Sequence, residues 1–325
     1  MSATVQAALT AMIRPYVQGR LPDWLEPRWY ASRDEAFAIV PGAEIGWLDF
    51  ADKLAMNQAI TQAKDLKWLN SVYAGVDGFP LPVLIERGVR VTNGVGINAL
   101  TIAEYVVMGM LTIAKGYRAV VQAQARHEWL ADAPGKMELA GSKALMVGFG
   151  AIGQLTTTRL QAFGVEVTAV RRTAAQPQAD AGAAPTAVLG PDQWRSRLGE
   201  FDWVILAVPA TAQTAQMIGT EELAAMKKTA TLINVARGSV VDQLAVAQAL
   251  RNGTIAHAFL DVTEPEPLPP GHELWGLPNA HITMHLSGRS QSRMFERAAE
   301  RFLANLQRYR NGEPLTHQVD LVAGY

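Results

Sequence analysis

The 325-residue sequence contains no cysteine, which excludes disulfide bonds and thiolate chemistry. An excess of either charge is also missing, because 29 Lys and Arg against 30 Asp and Glu leave a formal charge of −1. No long hydrophobic run is present either: the longest apolar-rich stretch, Val106 to Ala114, lies between Glu104 and Lys115. The N-terminus lacks a basic segment followed by an apolar core. We therefore expect a cytoplasmic protein with no nucleic-acid or membrane partner.

The composition is that of a globular protein. Hydrophobic residues make up 49% of the chain and charged residues 18%, which is enough apolar material for sizeable cores. A chain of 325 residues exceeds what one ordinary core accommodates, so two domains are expected.

A glycine-rich turn is the most informative segment. Residues 144–153 read Ala-Leu-Met-Val-Gly-Phe-Gly-Ala-Ile-Gly, a buried strand that continues into a turn and a helix. In this G-x-G-x-x-G pattern, Gly148 permits the tight turn, Gly150 lets the backbone approach a pyrophosphate, and Gly153 allows the helix to pack closely on the strand. The N–H groups that begin the helix then face the anion. The pattern predicts a dinucleotide site.

Strand and helix patterns alternate along the chain, which indicates βα units and parallel sheets. At the start, residues 4–18 carry apolar side chains at helical spacing and are predicted to form a helix. Asn98 to His127 is predicted to be one long helix that joins two domains and offers a face to a partner subunit. Arg289 to Arg310 is predicted to be the final helix. The strands are predicted at 28–31, 43–48, 66–72, 89–92, 144–147, 165–170, 202–209, 231–236 and 255–261.

Three predicted strand ends carry side chains suited to one reaction. Arg237 follows the strand Thr231 to Ala236, Glu266 lies in a proline-rich loop after Asp261, and His285 ends the segment that begins at His281. Ligands of open parallel sheets bind at the carboxyl ends of strands. An arginine can bind a carboxylate with two hydrogen bonds, a histidine can transfer a proton near neutral pH, and a glutamate can favour the imidazolium. The set suits reduction of a 2-keto acid, and no metal site is predicted.

Each assignment has an alternative. Arg237 could cap a helix, His281 competes with His285 from the same face of the strand, and Glu264 could replace Glu266. A buried, hydrogen-bonded structural role is favoured for His281.

Cofactor choice is indicated by the end of the next predicted strand. Val165 to Val170 is followed by Arg171, Arg172 and Thr173, with no acidic residue to bind the ribose hydroxyls of NAD. Two guanidinium groups and a hydroxyl suit a 2′-phosphate, so NADP is predicted, with NAD as a possible second cofactor. The alternative is that both arginines are solvated loop charges.

Several further segments occur together with these motifs in one order. They are Ser71-Val72-Tyr73-Ala74-Gly75-Val76-Asp77, Val91-Thr92-Asn93, Ala103-Glu104-Tyr105, residues 138–143, Asn234-Val235-Ala236-Arg237-Gly238, Asp261 through Pro267, Val319-Asp320 and Gly324-Tyr325. With them, the chain from about Leu66 onward resembles the D-isomer-specific 2-hydroxyacid dehydrogenases, in particular the glyoxylate and hydroxypyruvate reductase branch. In two places it departs from the family. A helix is predicted where the family usually starts with a strand, and Met284 stands where the family often has proline.

The resemblance implies a role for each matched residue. Arg237 would bind the substrate carboxylate and carbonyl, and the backbone N–H groups of Ala74 and Gly75 would add to the binding of the carboxylate. His285, paired with Glu266, would protonate the carbonyl oxygen. Ala151 and Ile152 would meet the pyrophosphate at the turn that Gly148, Gly150 and Gly153 form. Val208 and Pro209 would flank the adenosine side, Val235 would lie beside the nicotinamide, and Asp261 would accept a hydrogen bond from its carboxamide. Ala236 is also expected to bind the cofactor.

The resemblance also implies the architecture: two doubly wound parallel-sheet domains, with the active site in the cleft between them. Residues 1–97 and 287–325 would form a flavodoxin-like substrate domain, and residues 98–286 a Rossmann dinucleotide-binding domain. A homodimer is expected.

Three functions are compatible with the sequence. The first is an NADPH-dependent reductase of a small acid such as glyoxylate or hydroxypyruvate. The second is the same chemistry on a bulkier or phosphorylated acid, for which Arg289 is the residue to examine. The third is a dinucleotide-sensing regulatory protein with this fold, against which the set Arg237, Glu266 and His285 argues.

Overall fold

A computed structural model describes residues 4–50, 52–76, 78–172 and 184–324. The chain divides into two compact units. Unit 1 comprises Met1–Asn98 and Gln291–Tyr325, and unit 2 comprises Ala99–Ser290.

Unit 1 is built on a five-stranded sheet. The strands are β1 (Val5–Thr10), β2 (Leu25–Tyr30), β3 (Ile45–Trp47), β4 (Trp68–Asn70) and β5 (Arg90–Thr92). Their order is β2-β1-β3-β4-β5, all pairs are parallel, and the order is that of flavodoxin-like folds. The helices are α1 (Arg14–Val17), α2 (Arg33–Ile39), α3 (Lys53–Gln62), α4 (Leu81–Glu86) and, at the other end of the chain, α10 (Met294–Arg310).

The predicted helix over residues 4–18 is wrong for most of its length. Val5–Thr10 is a strand at the second position of the sheet, and only Arg14–Val17 is α-helical. Ala7, Ala8 and Leu9 are fully buried, because helices and loops cover both faces of a parallel sheet. Such a strand has no alternation of apolar and polar residues, so its apolar spacing coincided with that of a helix.

Unit 2 is built on a seven-stranded sheet. Its strands are β6 (Lys143–Val147), β7 (Glu166–Val170), β8 (Ala187–Leu189), β9 (Trp203–Leu206), β10 (Thr231–Asn234), β11 (His257–Leu260) and β12 (Ala280–Ile282). Its helices are α5 (Ala99–Ala114), α6 (Tyr117–Ala125), α7 (Ala151–Ala162), α8 (Thr220–Ala225) and α9 (Gln243–Arg251).

The order of the seven strands is β12-β11-β10-β9-β6-β7-β8, and all pairs are parallel. Numbered from β6, this is the Rossmann order 3-2-1-4-5-6 with a seventh strand added after the sixth. The direction of winding reverses between β6 and β9, and a dinucleotide binds at such a switch point. The predicted fold class, two doubly wound parallel-sheet units, is confirmed.

The predicted long helix from Asn98 to His127 is wrong at its centre. The structure has two helices, α5 and α6, which meet at an angle of 71°. Gly116 adopts a left-handed conformation at the break, and a Cβ atom on Gly135 would lie 2.3 Å from the Gly116 nitrogen. A returning segment of chain therefore packs against the break, which a helical pattern in the sequence does not reveal. Among the described residues, no single helix is long and apolar enough to cross a membrane, although α5 and α6 taken together reach that length and composition.

The final helix begins at Met294, five residues later than predicted. Residues 286–290 form turns instead, in which the N–H groups of Arg289 and Ser290 both donate to the Leu286 carbonyl. The N–H groups of Leu286 and Ser287, at the start of these turns, donate to the side chain of Asp261.

Candidate active site

The strands of unit 2 end in one row. Val147 of β6 pairs with Leu206 of β9, which pairs with Asn234 of β10, and the row continues through Leu260 of β11 to Ile282 of β12. The segments that follow these strands therefore lie at the same edge of the sheet. Those segments contain the glycine turn, Val208 and Pro209, Val235 to Arg237, Asp261 to Glu266, and His285.

The glycine turn has the shape that a pyrophosphate needs. Gly148 is left-handed, and a Cβ atom there would lie 2.4 Å from the Ala207 carbonyl oxygen. A Cβ atom on Gly153 would lie 2.3 Å from the Gly148 carbonyl oxygen, so helix and strand pack without space for a side chain. At Gly150 the same atom would meet no described atom within 4 Å. Helix α7 begins beside this open space, and no side chain of the described residues caps its N-terminus, so the N–H groups of Ala151 and Ile152 are available to an anion.

Arg237 is held where β10 ends. The Asn234 side chain accepts from the Ala236 N–H at 3.0 Å and donates to the Arg237 carbonyl at 2.9 Å, which fixes the backbone of this turn. The half-buried guanidinium donates to the Ala236 carbonyl at 2.8 Å. A Cβ atom on the next residue, Gly238, would lie 2.1 Å from the Thr263 carbonyl oxygen, so this turn packs tightly against the loop that carries Glu266.

Glu266 and His285 form a pair. Glu266 Oε2 lies 2.8 Å from His285 Nδ1, and Glu266 Oε1 accepts from the Thr263 N–H at 3.2 Å. Both side chains keep more than a third of their surface exposed, 38% for Glu266 and 39% for His285. Burial raises the pKa of Glu266, but the hydrogen bond and charge of His285, the Thr263 N–H and the charge of Arg237 together hold it below its usual value. The sequence-predicted trio is therefore brought together in unit 2, with Glu266 ionised at neutral pH.

The turn that presents His285 has an uncommon backbone. Met284 and His285 have φ angles of +54° and +56°, in the left-handed region that side chains other than glycine seldom occupy. Such residues persist where their surroundings determine them, commonly at functional sites. Proline, which the resemblance leads one to expect at position 284, has φ near −65° and could not adopt this turn.

Asp261 anchors this turn, a role that the sequence did not reveal. Its buried carboxylate accepts from Thr283 Oγ1 at 2.7 Å, from the N–H groups of Leu286 and Ser287 at 3.2 Å, and from Ser287 Oγ. Three of these donors converge on Oδ1 and one reaches Oδ2, so Oδ2 keeps a position at which it can accept a further hydrogen bond. Its predicted contact with a carboxamide stays a prediction.

The alternatives to the catalytic pair lie in other surroundings. His281 packs beside His257, with ring centroids 5.8 Å apart, and its Nε2 is buried with no hydrogen-bond partner in the part of the chain that the structure describes. Burial, His257 and Arg118 lower the pKa of His281 to about 4, so it stays neutral near pH 7. Glu264 is exposed, and its backbone is held by the amide group of Gln243. Neither residue is paired as Glu266 and His285 are.

Arg171 and Arg172 follow β7 beside the glycine turn. The guanidinium carbon of Arg171 lies 5.8 Å from the centroid of the Phe149 ring, and the Arg171 N–H donates to the Leu189 carbonyl at 3.0 Å. Arg172 is exposed. Thr173, the third residue predicted to meet a 2′-phosphate, lies outside the described residues, as do Asp77 and Tyr325.

The remaining predicted cofactor contacts are placed at the same edge. A methyl group of Val208 would lie 3.0 Å from a Cβ atom on Gly148, and Pro209 is exposed beside it. Val235 and Ala236 are each only 5% exposed. They shape the end of β10 through their backbone, since the Val235 N–H donates to the Leu206 carbonyl at 3.2 Å.

Ala74 and Gly75 lie in unit 1, in the loop that follows β4. The Ala74 carbonyl accepts from the Asn93 side chain at 2.7 Å. Among the described residues, no acceptor lies in hydrogen-bond contact with the N–H group of Ala74 or of Gly75. Two adjacent donors in a partly exposed loop are suited to an anion.

Comparison with known proteins agrees with this geometry. Residues 107–287 match the model of the D-isomer specific 2-hydroxyacid dehydrogenase NAD binding domain. A glyoxylate reductase of Thermofilum pendens is 32% identical over 297 residues, which cover 86% of this chain and 83% of that protein.

Two solved structures extend the likeness over the whole chain. A D-isomer specific 2-hydroxyacid dehydrogenase family protein from Aeromonas salmonicida has a TM-score of 0.85 at 28% identity, with 98% of this chain and 100% of that chain covered. A D-isomer specific 2-hydroxyacid dehydrogenase from Xanthobacter autotrophicus, solved with NADPH, has a TM-score of 0.77 at 25% identity, with both chains fully covered. The chain therefore belongs to the D-isomer-specific 2-hydroxyacid dehydrogenases, a family of NAD(P)-dependent oxidoreductases.

Proposed function

We propose that the protein reduces a small 2-keto acid such as glyoxylate or hydroxypyruvate to the 2-hydroxy acid, with NADPH as its preferred cofactor. The observation that carries the proposal is the 2.8 Å contact between Glu266 and His285, with the charge of Arg237 close enough to lower the pKa of Glu266. A substrate-binding cation and a proton donor paired with a carboxylate are what reduction of a 2-keto acid requires. The glyoxylate reductase relative supports the substrate class.

Arg237 is proposed to bind the carboxylate and carbonyl oxygens of the substrate. The fixed backbone of Arg237 limits the conformations that its guanidinium can adopt. A planar guanidinium binds a carboxylate through two parallel hydrogen bonds. In unit 1, the N–H groups of Ala74 and Gly75 are proposed to donate to the substrate carboxylate.

His285 is proposed to give its proton to the carbonyl oxygen. Its Nδ1 is directed to Glu266, which leaves Nε2 as the donor to the substrate. The carboxylate of Glu266, whose pKa is held below its usual value, is ionised at neutral pH and holds the ring in one orientation. When bound, the reduced nicotinamide supplies the hydride that the carbonyl carbon receives.

The cofactor would be held by groups at the strand ends of unit 2. The N–H groups of Ala151 and Ile152 would donate to the pyrophosphate over the open face of Gly150. Val208 and Pro209 would flank the adenosine, Val235 and Ala236 would line the nicotinamide, and Asp261 would accept from its carboxamide. Arg171 and Arg172 would bind the 2′-phosphate.

The function is tested by the loss of reduced-nicotinamide absorbance with a panel of 2-keto acids that includes glyoxylate, hydroxypyruvate, pyruvate, and bulkier and phosphorylated acids. The proposal is supported if the small acids are turned over and if, at low cofactor concentration, turnover is faster with NADPH than with NADH. Preference for a phosphorylated acid would direct attention to the exposed Arg289. Tight nucleotide binding without turnover of any acid would contradict the proposal and favour a regulatory protein.

The pairing of Glu266 with His285 predicts how reduction depends on pH. Reduction consumes the imidazolium proton, so the rate should decline as pH rises and that proton is lost. Replacing Glu266 by Gln removes the negative charge that stabilises the imidazolium, while the side chain still accepts a hydrogen bond. We expect the decline of kcat/KM to begin at lower pH in this variant than in the wild type.

Glu264→Gln is the matched control for this experiment. It removes an exposed carboxylate from the same loop, two residues from Glu266, and the Gln243 contacts with the backbone of residue 264 are kept. Its pH profile should coincide with that of the wild type. A shift in this variant, together with an unchanged profile in Glu266→Gln, would make Glu264 the partner of His285.

We also propose that the chain forms a homodimer through one face of unit 2. A groove of about 800 Å³ along α5 has apolar walls that include Val107, Met108, Leu111 and Phe163. On the segment after α6, Trp129 is 98% exposed. A two-fold interface needs a surface that is complementary to itself, and exposed apolar residues of this kind are typical of an association site.

Met108→Glu tests the dimer. Met108 is 42% exposed in the groove, and a charge there would have to be taken out of water on association, which costs free energy. Sedimentation equilibrium should show a dimer for the wild type and a monomer for Met108→Glu. Val322→Glu, an equally drastic change at a residue of unit 1 that is 87% exposed, should remain dimeric. A monomeric wild type, or a dimeric Met108→Glu variant, would contradict this interface.

A further inference from the structure

Asp49 is an acidic residue of unit 1 that lies two residues after the end of β3 and is surrounded by hydrogen-bond donors. Its carboxylate accepts from Ser71 Oγ at 2.6 Å, from the Val72 N–H at 2.7 Å and from the indole N–H of Trp47 at 2.7 Å. Burial raises the pKa of Asp49 to about 6, and the three donors oppose this effect. A carboxylate in such surroundings costs free energy unless its partners hold it well.

The partners of Asp49 begin the loop that contains Ala74 and Gly75. Ser71 Oγ donates to Asp49 and accepts from the Tyr73 N–H at 3.0 Å, so Asp49 and Ser71 together bind the N–H groups of residues 72 and 73. The next two N–H groups, those of Ala74 and Gly75, have no acceptor among the described residues. The N–H groups of residues 72 and 73 thus donate to Asp49 and Ser71, and the N–H groups of residues 74 and 75 can donate to a bound ligand.

The other side of the loop is fixed by the segment after β5. The Gly94 N–H donates to the Tyr73 carbonyl at 2.7 Å, and the Asn93 side chain donates to the Ala74 carbonyl at 2.7 Å. The approach at Gly94 is so close that a Cβ atom there would lie 1.9 Å from the Val72 carbonyl oxygen. The carbonyl groups are therefore held by residues 93 and 94, and the N–H groups by residues 49 and 71.

We propose that Asp49 is a positioning residue, which holds the loop of residues 71–75 so that the N–H groups of Ala74 and Gly75 stay directed at the substrate carboxylate. The inference rests on the proposed function in one respect, the identity of the anion. Asp49 does not touch the substrate. It acts through Ser71 and the Val72 N–H, which set the peptide planes that precede the two donors.

Three substitutions separate positioning from folding. Asp49→Ala removes the acceptor of Ser71 and Val72. Asp49→Asn keeps the shape, because its amide oxygen can accept from Val72 and Trp47 while its NH₂ group donates to Ser71 Oγ. Ser71→Ala removes the acceptor of the Tyr73 N–H and leaves the carboxylate in place.

Asp320→Ala is the matched control. Asp320 also accepts from two backbone N–H groups, those of Val322 and Ala323, each at 3.0 Å. The chain before Asp320 runs antiparallel to β5, since Gln318 pairs with Thr92 and the Val319 N–H donates to the Val91 carbonyl. Asp320 therefore lies toward the N-terminal end of β5, whereas the loop of residues 71–75 follows the C-terminal end of β4. Removing the Asp320 carboxylate takes hydrogen bonds from unit 1 that are similar to those lost in Asp49→Ala, but it does not affect the loop of residues 71–75.

Steady-state kinetics with the best 2-keto acid of the panel is the first measurement. For Asp49→Ala we expect KM for the acid to rise by about 10-fold to 100-fold, because a small displacement of binding groups has effects of that size. The values of kcat and of KM for NADPH should change little. Asp49→Asn and Asp320→Ala should resemble the wild type, and Ser71→Ala should raise KM for the acid less than Asp49→Ala. If Asp49→Ala does not fold, the comparison of Ser71→Ala with Asp320→Ala decides.

Calorimetric titration with oxalate, a non-reacting dicarboxylate, is the second measurement and does not depend on turnover. Weaker binding of oxalate by Asp49→Ala, with wild-type binding by Asp49→Asn, supports the positioning role even if no 2-keto acid is reduced, in which case only the proposed function fails. Unchanged KM and unchanged oxalate affinity in Asp49→Ala and Ser71→Ala would overturn the inference. So would a wild type that does not bind oxalate, or equal losses in Asp320→Ala.

Discussion

Replacing His285 by alanine is expected to lower kcat for reduction of the keto acid by about 10²-fold to 10⁴-fold, the usual contribution of a positioned acid or base. The substitution removes the proton donor and leaves Glu266 without its 2.8 Å partner. Hydride transfer to a carbonyl carbon would then leave an oxyanion that only water can protonate. Binding of NADPH, measured by fluorescence titration, should stay close to the wild-type value, because the glycine turn is unchanged.

His281→Asn is the control for the His285 substitution. His281 lies four residues earlier, packs against His257 and is neutral near pH 7, so its loss should leave kcat close to the wild-type value. Added imidazole should restore part of the activity of His285→Ala if the missing group is a proton donor. A variant with higher KM but unchanged kcat would show that His285 binds the substrate without protonating it, and the assignment as the acid would be wrong.

The motifs that the sequence revealed depend on short stretches of chain. The glycine turn is local in sequence, since Gly148, Gly150 and Gly153 lie within one strand, turn and helix, although the close contact at Gly148 is with the distant Ala207. Arg237, Glu266 and His285 could be chosen because each follows a strand, and parallel strands in register bring their ends to one edge. The resemblance to the family then gave each of these segments an expected role.

The features that the sequence did not reveal depend on distant contacts. The carboxylate of Asp261 binds groups 22 to 26 residues away, and that of Asp49 binds Ser71 and Val72, 22 and 23 residues away. No spacing rule connects an acidic residue to donors on another strand. The strand Val5–Thr10 was mistaken for a helix because both of its faces are covered, and the break at Gly116 is set by the returning Gly135 segment.

Replacing both Arg171 and Arg172 by alanine is expected to raise KM for NADPH strongly and to leave KM for NADH nearly unchanged. The two cofactors differ only in the 2′-phosphate, and a hydrogen bond between charged groups contributes about 1.5–3 kcal/mol. Each arginine that binds the phosphate should therefore be worth about 10-fold or more in KM. The values of kcat with either cofactor should change little, since His285 and Glu266 are untouched.

Two comparisons show whether the arginines recognise the phosphate directly. The double variant Arg195→Ala, Arg197→Ala removes two positive charges of unit 2 that are already paired with Glu222 and Glu200, and it should leave both KM values unchanged. Salt weakens the attraction between exposed charges, with a screening length of about 8–10 Å at moderate ionic strength. The preference of the wild type for NADPH should therefore weaken as salt is added. The cofactor preference of the Arg171, Arg172 double variant should not change with salt, because the variant lacks both positive charges. Equal losses with NADPH and NADH would mean that the two arginines shape the loop after β7 for either cofactor, and the preference for NADPH would then have no support in these residues.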